Sequence, residues 1–517
     1  MRFFIRKTGS SLMLFIFFTL IIFNMVSSSP VQASSRVLST NIPLNSYIYT
    51  YLDKLDGLGY LASMPPDTKP FTRMQVAKWV WQIAEQTAGI TLPDYARTML
   101  EQLQAEFTRE LDSLKTGSKK AEIRLAEENW EYIYYDGPSL GQHQTQSTYQ
   151  PLNINNNGER LEEDLNSVIS LLLEGNIGAN LVFSAAPRFW YDRTDDFATK
   201  LTSGYVKTHI GNLGIQLGKD AMWWGPGEWG SLPLTNNAAP QTSLLLSNLE
   251  PIQLDGILGF LKEANGTFFY SELKDDRQYI KDPSFVGFRV TFTPLANFTF
   301  GGSLNSIVGG AEHNLSGEDY LEFFTGKNAE SNEEERWNSI AGFDFRWRIP
   351  QLRGIEVYGE FYGEDQAGKL PLPSRNAYLF GVKIPRLSAD GKWDLTLEKA
   401  QTTNCWYQHW VYKEGYVYKG DIIGDAMGYN AWRYNLKLSR YLTDGAWLAV
   451  TAEHLMLDRD AQFPQKVNSL QLSYIMNLQP GLTFNASVGV ADIDNLNYQS
   501  GQSDRNYLGS ISLRKHF

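Results

Sequence analysis

From about Ile123 to the last residue, the chain repeats short apolar–polar alternations joined by connections that run short, then long, then short. In Leu482–Val490 the apolar residues occupy alternate positions, with Thr, Asn, Ser and Gly between them. Trp432, Tyr434, Leu436 and Leu438 alternate with Arg433, Asn435, Lys437 and Ser439, and Phe343, Phe345, Trp347 and Ile349 alternate with Asp344, Arg346 and Arg348. A closed membrane barrel needs this period of two, with one face in lipid and the other towards a wet lumen. Short turns are expected at Gly175-Asn176, Gly211-Asn212, Asn265-Gly266, Pro294–Asn297, Pro350–Gly354, Ala389–Lys392, Thr443–Gly445 and Gln479–Gly481. Longer connections fall near 135–165, 188–200, 220–250, 275–283, 305–336, 364–374, 402–429, 457–466 and 492–504. The pattern gives about eighteen strands, with both barrel ends on the short-turn side, which outer-membrane barrels turn to the periplasm. The last strand, Tyr507–Phe517, ends on an aromatic. A soluble propeller or sandwich has no reason for strict long–short alternation over so many strands. The expected fold is therefore an all-β membrane barrel over residues 121–517, preceded by a small α-helical periplasmic domain at 34–120.

The amino terminus carries Arg2, Arg6 and Lys7, the apolar run Leu12–Val26, and Val31-Gln32-Ala33 before Ser34. That order is a cleavable leader, here residues 1–33, and the apolar run is short for a membrane span. The chain of 517 residues has a net charge of −11, which argues against nucleic acid as a partner. Cys405 is the only cysteine, so no internal disulfide is possible. Ser46 is placed to cap a helix carrying Tyr47, Tyr51, Leu52, Leu55 and Leu58 that ends near Gly57 and Gly59, and Thr72 to cap one with Val76, Ala77, Val80, Ile83 and Ala84 on a single face, stopped by Gly89. A third amphipathic stretch follows Pro93 and carries Leu100, Leu103, Phe107 and Leu111.

The densest signature is Trp223-Trp224-Gly225-Pro226-Gly227, followed by Trp229, Ser231-Leu232 and Asn236-Asn237-Ala238-Ala239-Pro240. Paired indoles in a Gly-Pro bracket suit an aromatic girdle at the membrane interface. They equally suit a rigid loop folded into the lumen, where rings stack on sugars and Asn amides read hydroxyls; residue chemistry alone favours the girdle. With the run Gly218–Gly227, the Asn-Asn-Ala-x-Pro piece and Ile42–Leu44 ahead of the helices, the chain resembles the Wzi-type capsule-assembly proteins of bacterial outer membranes. That resemblance implies an 18-stranded barrel closed by its own loops above a periplasmic helical bundle. It also implies lectin-like attachment of capsular or surface polysaccharide, without synthesis or export. Lys515 departs from the apolar residue usual two places before a terminal aromatic.

A second aromatic cluster, Trp406, Tyr407, His409, Trp410, Tyr412, Tyr416 and Tyr418, has the composition of a sugar platform or of an aromatic belt. The expected polysaccharide-binding residues are Trp223, Trp224, Trp229, Asn236, Asn237, Trp406 and Trp410. Leu55–Tyr60 followed by Pro70–Ala77 is similar to one S-layer homology repeat, which would direct residues 44–116 to a cell-wall polymer, or is simply a helical pair packed under the barrel. The expected partners are thus surface polysaccharide and outer-membrane lipid.

No chemistry stands out. The histidines His143, His209, His313, His409, His454 and His516 are scattered without zinc-ligand spacing, and no nucleophile elbow or phosphate loop is present. Asp492-Ile493-Asp494-Asn495 and Glu333–Glu335 read as solvated loop charge. No metal, cofactor or catalytic residue is expected. The competing reading is a porin whose lumen-facing Arg346, Arg348, Arg433 and Lys437 tune selectivity, with a cell-wall-binding amino-terminal segment.

Overall fold

The computed structural model describes residues 37–517 apart from 118–120, 143–144, 195–196, 312, 314, 317–318, 320–335, 367–372, 443–444 and 480. The leader, His143 and Glu333–Glu335 lie outside the described residues.

Among the described residues four helices come first: α1 (Tyr47–Gly57), α2 (Arg73–Gln86), α3 (Asp94–Glu106) and α4 (Thr108–Thr116). The Ser46 hydroxyl accepts the Ile48 N–H at 3.4 Å. Thr72 forms a full capping box with Gln75, each side chain bonding the other's backbone N–H at 3.2 and 2.9 Å. The expected third helix breaks in two at Phe107, whose ring is buried in the helical core.

Long strands follow: β1 (Glu122–Asp136), β2 (Asp164–Ile177), β3 (Leu181–Tyr191), β4 (Ala198–Ile210), β5 (Leu213–Lys219) and β6 (Thr242–Asn248). Next come β7 (Glu263–Glu272), β8 (Ser284–Leu295), β9 (Phe298–Val308), β10 (Trp337–Ile349), β11 (Ile355–Gln366) and β12 (Pro373–Ile384). The last are β13 (Trp393–Gln401), β14 (Trp432–Tyr441), β15 (Trp447–Leu457), β16 (Gln465–Gln479), β17 (Leu482–Asp494) and β18 (Ser503–His516). Among the described residues they form a closed antiparallel barrel of 18 strands. Closure is made where Glu127–Asp136 pairs with Tyr507–His516.

The predicted alternation is realised. Tyr434 and Leu436 are exposed on the outer wall, while Arg433 and Asn435, which alternate with them, are buried inside. Two turn expectations fail. Gly175-Asn176 lies within β2, because Gly175 makes room for the Phe183 ring, which a Cβ there would meet at 2.2 Å. The turn itself sits at Gly178, in the left-handed region at φ 65°. Asn265-Gly266 lies within β7, where Gly266 pairs with Val290 and its N–H donates to Asn248. The real connection, 249–262, is long and carries a 3-10 turn at Gly256–Leu261.

The helices pack against the short-turn end. Their core is shared with Tyr441, Trp447 and Ala449 of the barrel. Lys54 donates to Pro385 O and Gly391 O at 2.7 Å and pairs with Asp394. The Tyr51 hydroxyl lies 3.1 Å from Gly445 O, and Met64 N–H donates to Ala296 O at 3.0 Å.

Candidate functional site: a loop plug and its outer face

At the end of β5 the chain turns into the lumen. Trp223-Trp224 pairs antiparallel with Thr68-Lys69, a segment that rises from between α1 and α2. Gly225 N–H donates to Asp67 O at 2.9 Å, and Trp224 N–H to Leu234 O at 3.0 Å. The buried Trp224 ring tilts against Phe269 of the wall at 5.2 Å. Gly225 has φ 126°, and a Cβ there would sit 2.4 Å from Glu360 Oε1, so the bracket needs glycine for both reasons.

Wall carboxylates hold this loop by accepting its donors. Glu360 accepts Leu232 N–H at 2.8 Å, Ser231 Oγ at 3.1 Å and Gly227 N–H at 3.2 Å. Glu398 accepts Glu228 N–H at 2.7 Å and the Tyr358 hydroxyl at 3.0 Å. A buried carboxylate is stable only when so satisfied. Segment 402–431 locks over the same loop. Tyr407 stacks on Tyr416 with centroids 5.2 Å apart and planes 8° from parallel. The Tyr407 hydroxyl donates to Leu232 O at 2.6 Å, and that of Tyr416 to Pro233 O at 2.7 Å. Segment 137–163 joins through Asn157 N–H to Asn236 O at 2.7 Å and Gly158 N–H to Asn237 O at 3.0 Å.

The four expected lumen cations face inward, each with an anionic partner. Arg433 meets Asp425 at 2.6 Å, Lys437 meets Glu228 at 2.7 Å, Arg346 meets Asp67 at 3.1 Å, and Arg348 pairs with Asp56. They clamp plug and helical segment to the wall.

The girdle reading of Trp223 and Trp224 does not hold, since both lie inside the barrel, packed by loop and wall alike. Together with Trp406 they are buried and present no ring face to solution. The Asn236 amide donates to Asn155 O at 2.7 Å and that of Asn237 to Ile422 O at 3.0 Å. Trp229 is half-buried, its carbonyl accepting Asn155 Nδ2 at 2.8 Å. Trp410 stands apart, 53% exposed beyond the plug.

Sequence reasoning missed two features of this outer region. Tyr279 is 50% exposed with Lys413 Nζ 4.8 Å from its ring centroid. Five cations also gather around two carboxylates. Lys200 and Arg188 lie 2.7 and 3.8 Å from Glu159, Arg160 lies 3.2 Å from Asp421, and Lys219 and Lys419 lie close by. Their positions span more than two hundred residues, so no local pattern announces them.

Burial pushes the Glu228 carboxyl up, but Lys383 and Lys437 more than offset this and hold it well below its ordinary 4.5. A carboxyl depressed in the folded state stabilises it above the ordinary value, and that contribution is lost as pH falls through the folded value. Acidification below about pH 4 is therefore expected to loosen the 220–241 loop. Limited proteolysis in detergent across pH 3–7 measures this, and Lys437→Met should move the onset of cleavage to higher pH.

A Klebsiella pneumoniae protein of 55.8 kDa from a cps region is 26% identical over 300 residues, covering 54% of this chain and 55% of that protein. The chain thus aligns with about half the length of this curated relative. The Escherichia coli outer-membrane protein Wzi, described as a carbohydrate-binding β-barrel involved in group 1 capsule assembly, overlays with a TM-score of 0.69. That overlay, at 18% identity, covers 93% of this chain and 100% of the other, and shows a shared fold. Pseudomonas aeruginosa OpdQ overlays at only 0.45, with 8% identity and coverage of 78% and 98%. The family described as capsule assembly protein Wzi matches residues 137–508, and with most of the barrel inside that match, this chain belongs to the Wzi family.

Proposed function

We propose that this protein is a non-catalytic, lectin-like anchor that attaches capsular or surface polysaccharide to the cell from the outer membrane. One observation carries the reading: segments 137–163, 220–241 and 402–431 hydrogen-bond to one another across the lumen, as a platform would and a bore would not. By the usual asymmetry the helices sit in the periplasm and the platform faces outward. Solution-facing Trp410 and Tyr279 offer ring faces of the kind sugars stack on, and Trp229 is half-buried. The five-cation cluster adds attraction for acidic sugars, and repeated weak contacts along a polymer raise avidity. A cell-wall contact through residues 44–116 has less behind it: Phe71, Val76 and Ala77 of the repeat-like stretch are spent on the helical core, and Arg73 on Glu106 and Glu110.

Trp410→Ala with Tyr279→Ala is expected to lower polysaccharide retention on cells about tenfold through lost avidity. Heat-modified gel mobility should stay unchanged. Retention at the unaltered level in a folded double variant refutes the platform. A cationic contribution appears as weaker binding of acidic glycans to purified protein at high salt, with neutral glycans unaffected.

A further inference from the structure

Between β6 and β7 the short-turn side carries a connection unlike its neighbours. Residues 249–262 are pinned at their start: Leu249 N–H and Glu250 N–H donate to Asn212 at 2.9 Å, and Glu250 pairs with Lys78 of α2. The strap then pairs again with the start of β7. Ile252 pairs with Ala264, and the 3-10 turn lies against β8. Leu213, Ala264 and Val290 point away from the lumen yet are nearly or wholly buried in this region.

The tip of the strap is Gly256-Ile257-Leu258-Gly259-Phe260-Leu261, six residues without a polar side chain. Leu254 N–H donates to Lys262 O at 2.7 Å and Lys262 N–H to Gly259 O at 3.2 Å, so the tip is a closed, hydrogen-bonded turn. Ile257 is 94% exposed and Phe260 70%. Asp255 and Lys262 flank the tip and are also exposed. Ile210 and Leu295, outward-facing and exposed at the ends of β4 and β8, continue the apolar surface along the same rim.

We propose that Gly256–Leu261 is a foot that inserts into the periplasmic leaflet of the outer membrane and fixes the height of the barrel there. The occupant is phospholipid because the tip extends a wall already facing lipid, and because one charge of each sign brackets it at headgroup level. The foot stands independently of any polysaccharide.

The test places single cysteines at Ile257 and, separately, Phe260 in the full-length Cys405→Ser protein. Each carries an environment-sensitive fluorophore in phosphatidylethanolamine–phosphatidylglycerol vesicles. Ile90→Cys, between α2 and α3 and 57% exposed, is the aqueous reference. Acyl-brominated phospholipid is expected to quench positions 257 and 260 roughly threefold more than position 90, with iodide on both sides of the bilayer showing the reverse order. Equal access of iodide to all three positions overturns the foot. So does protection from both quenchers that grows with protein-to-lipid ratio, which would mark a second copy as the occupant.

Discussion

Replacing Arg433 with alanine is expected to free segment 402–431 from the barrel wall. The guanidinium, on β14, holds both oxygens of Asp425 at 2.6 and 2.9 Å and lies 3.4 Å from Glu398. All three side chains are buried. Truncating one member of such a group leaves carboxylates without their counter-charge, at a cost of about 3–5 kcal/mol. The damage spreads, because Glu398 also accepts Glu228 N–H from the other loop, and Asp425 N–H donates to the Tyr407 hydroxyl at 2.8 Å. Trypsin cleavage at Lys413 and Lys419 should accelerate, and the temperature at which the heated protein changes its gel mobility should fall. Arg433→Lys should fall between, since an ammonium cannot reproduce the two-pronged contact. Removing the opposing charge as well, with Arg433→Met and Asp425→Leu together, should recover part of the loss. Wild-type proteolysis in the alanine variant would mean that the loop is held by something other than this pair.

The barrel was legible because a sheet with lipid outside and packed polar groups inside must write its period into every strand. Phe343/Asp344 and Tyr434/Arg433 show that directly, and Ser46 and Thr72 announced their helices just as plainly. The plug was not legible for equally physical reasons. Trp223 and Trp224 have the chemistry of an interface girdle or of a core. What decides is pairing with Thr68-Lys69, more than one hundred and fifty residues earlier in the chain. Glu360 and Glu398 hold the loop mainly through its backbone N–H groups, which leave no trace in residue type. Trp406 and Trp410 belong to one aromatic run, yet only the first is buried, packed on Tyr407, whose hydroxyl is tied to Leu232 of the plug. Gly175 and Gly266 read as turns because glycine signals both a bend and a close approach, and only the facing strand tells the two apart.

Purified wild-type protein in a planar bilayer is expected to stay electrically silent, and loss of the plug to give stable conductance steps. An 18-stranded wall encloses an aqueous bore when nothing fills it. Here, among the described residues, the bore is crossed by Trp224, Leu232, Tyr407 and Tyr416, which pack on Phe269, Phe285, Tyr358 and Leu379 of the wall. Replacing 221–239 by a short Gly-Ser linker removes the first two. It also takes away the carbonyls of Leu232 and Pro233, on which the Tyr407 and Tyr416 hydroxyls depend. The helices would remain at the short-turn end, held by Lys54 to Asp394 and by Arg348 to Asp56. Plug and helical segment are resistances in series, so the linker variant should conduct less than one that also lacks 47–116. Equal conductance in the two would show that the helices leave a wide path around them. Stable large steps from the wild type would favour the porin reading, because a platform sealed by its own hydrogen bonds passes no such current.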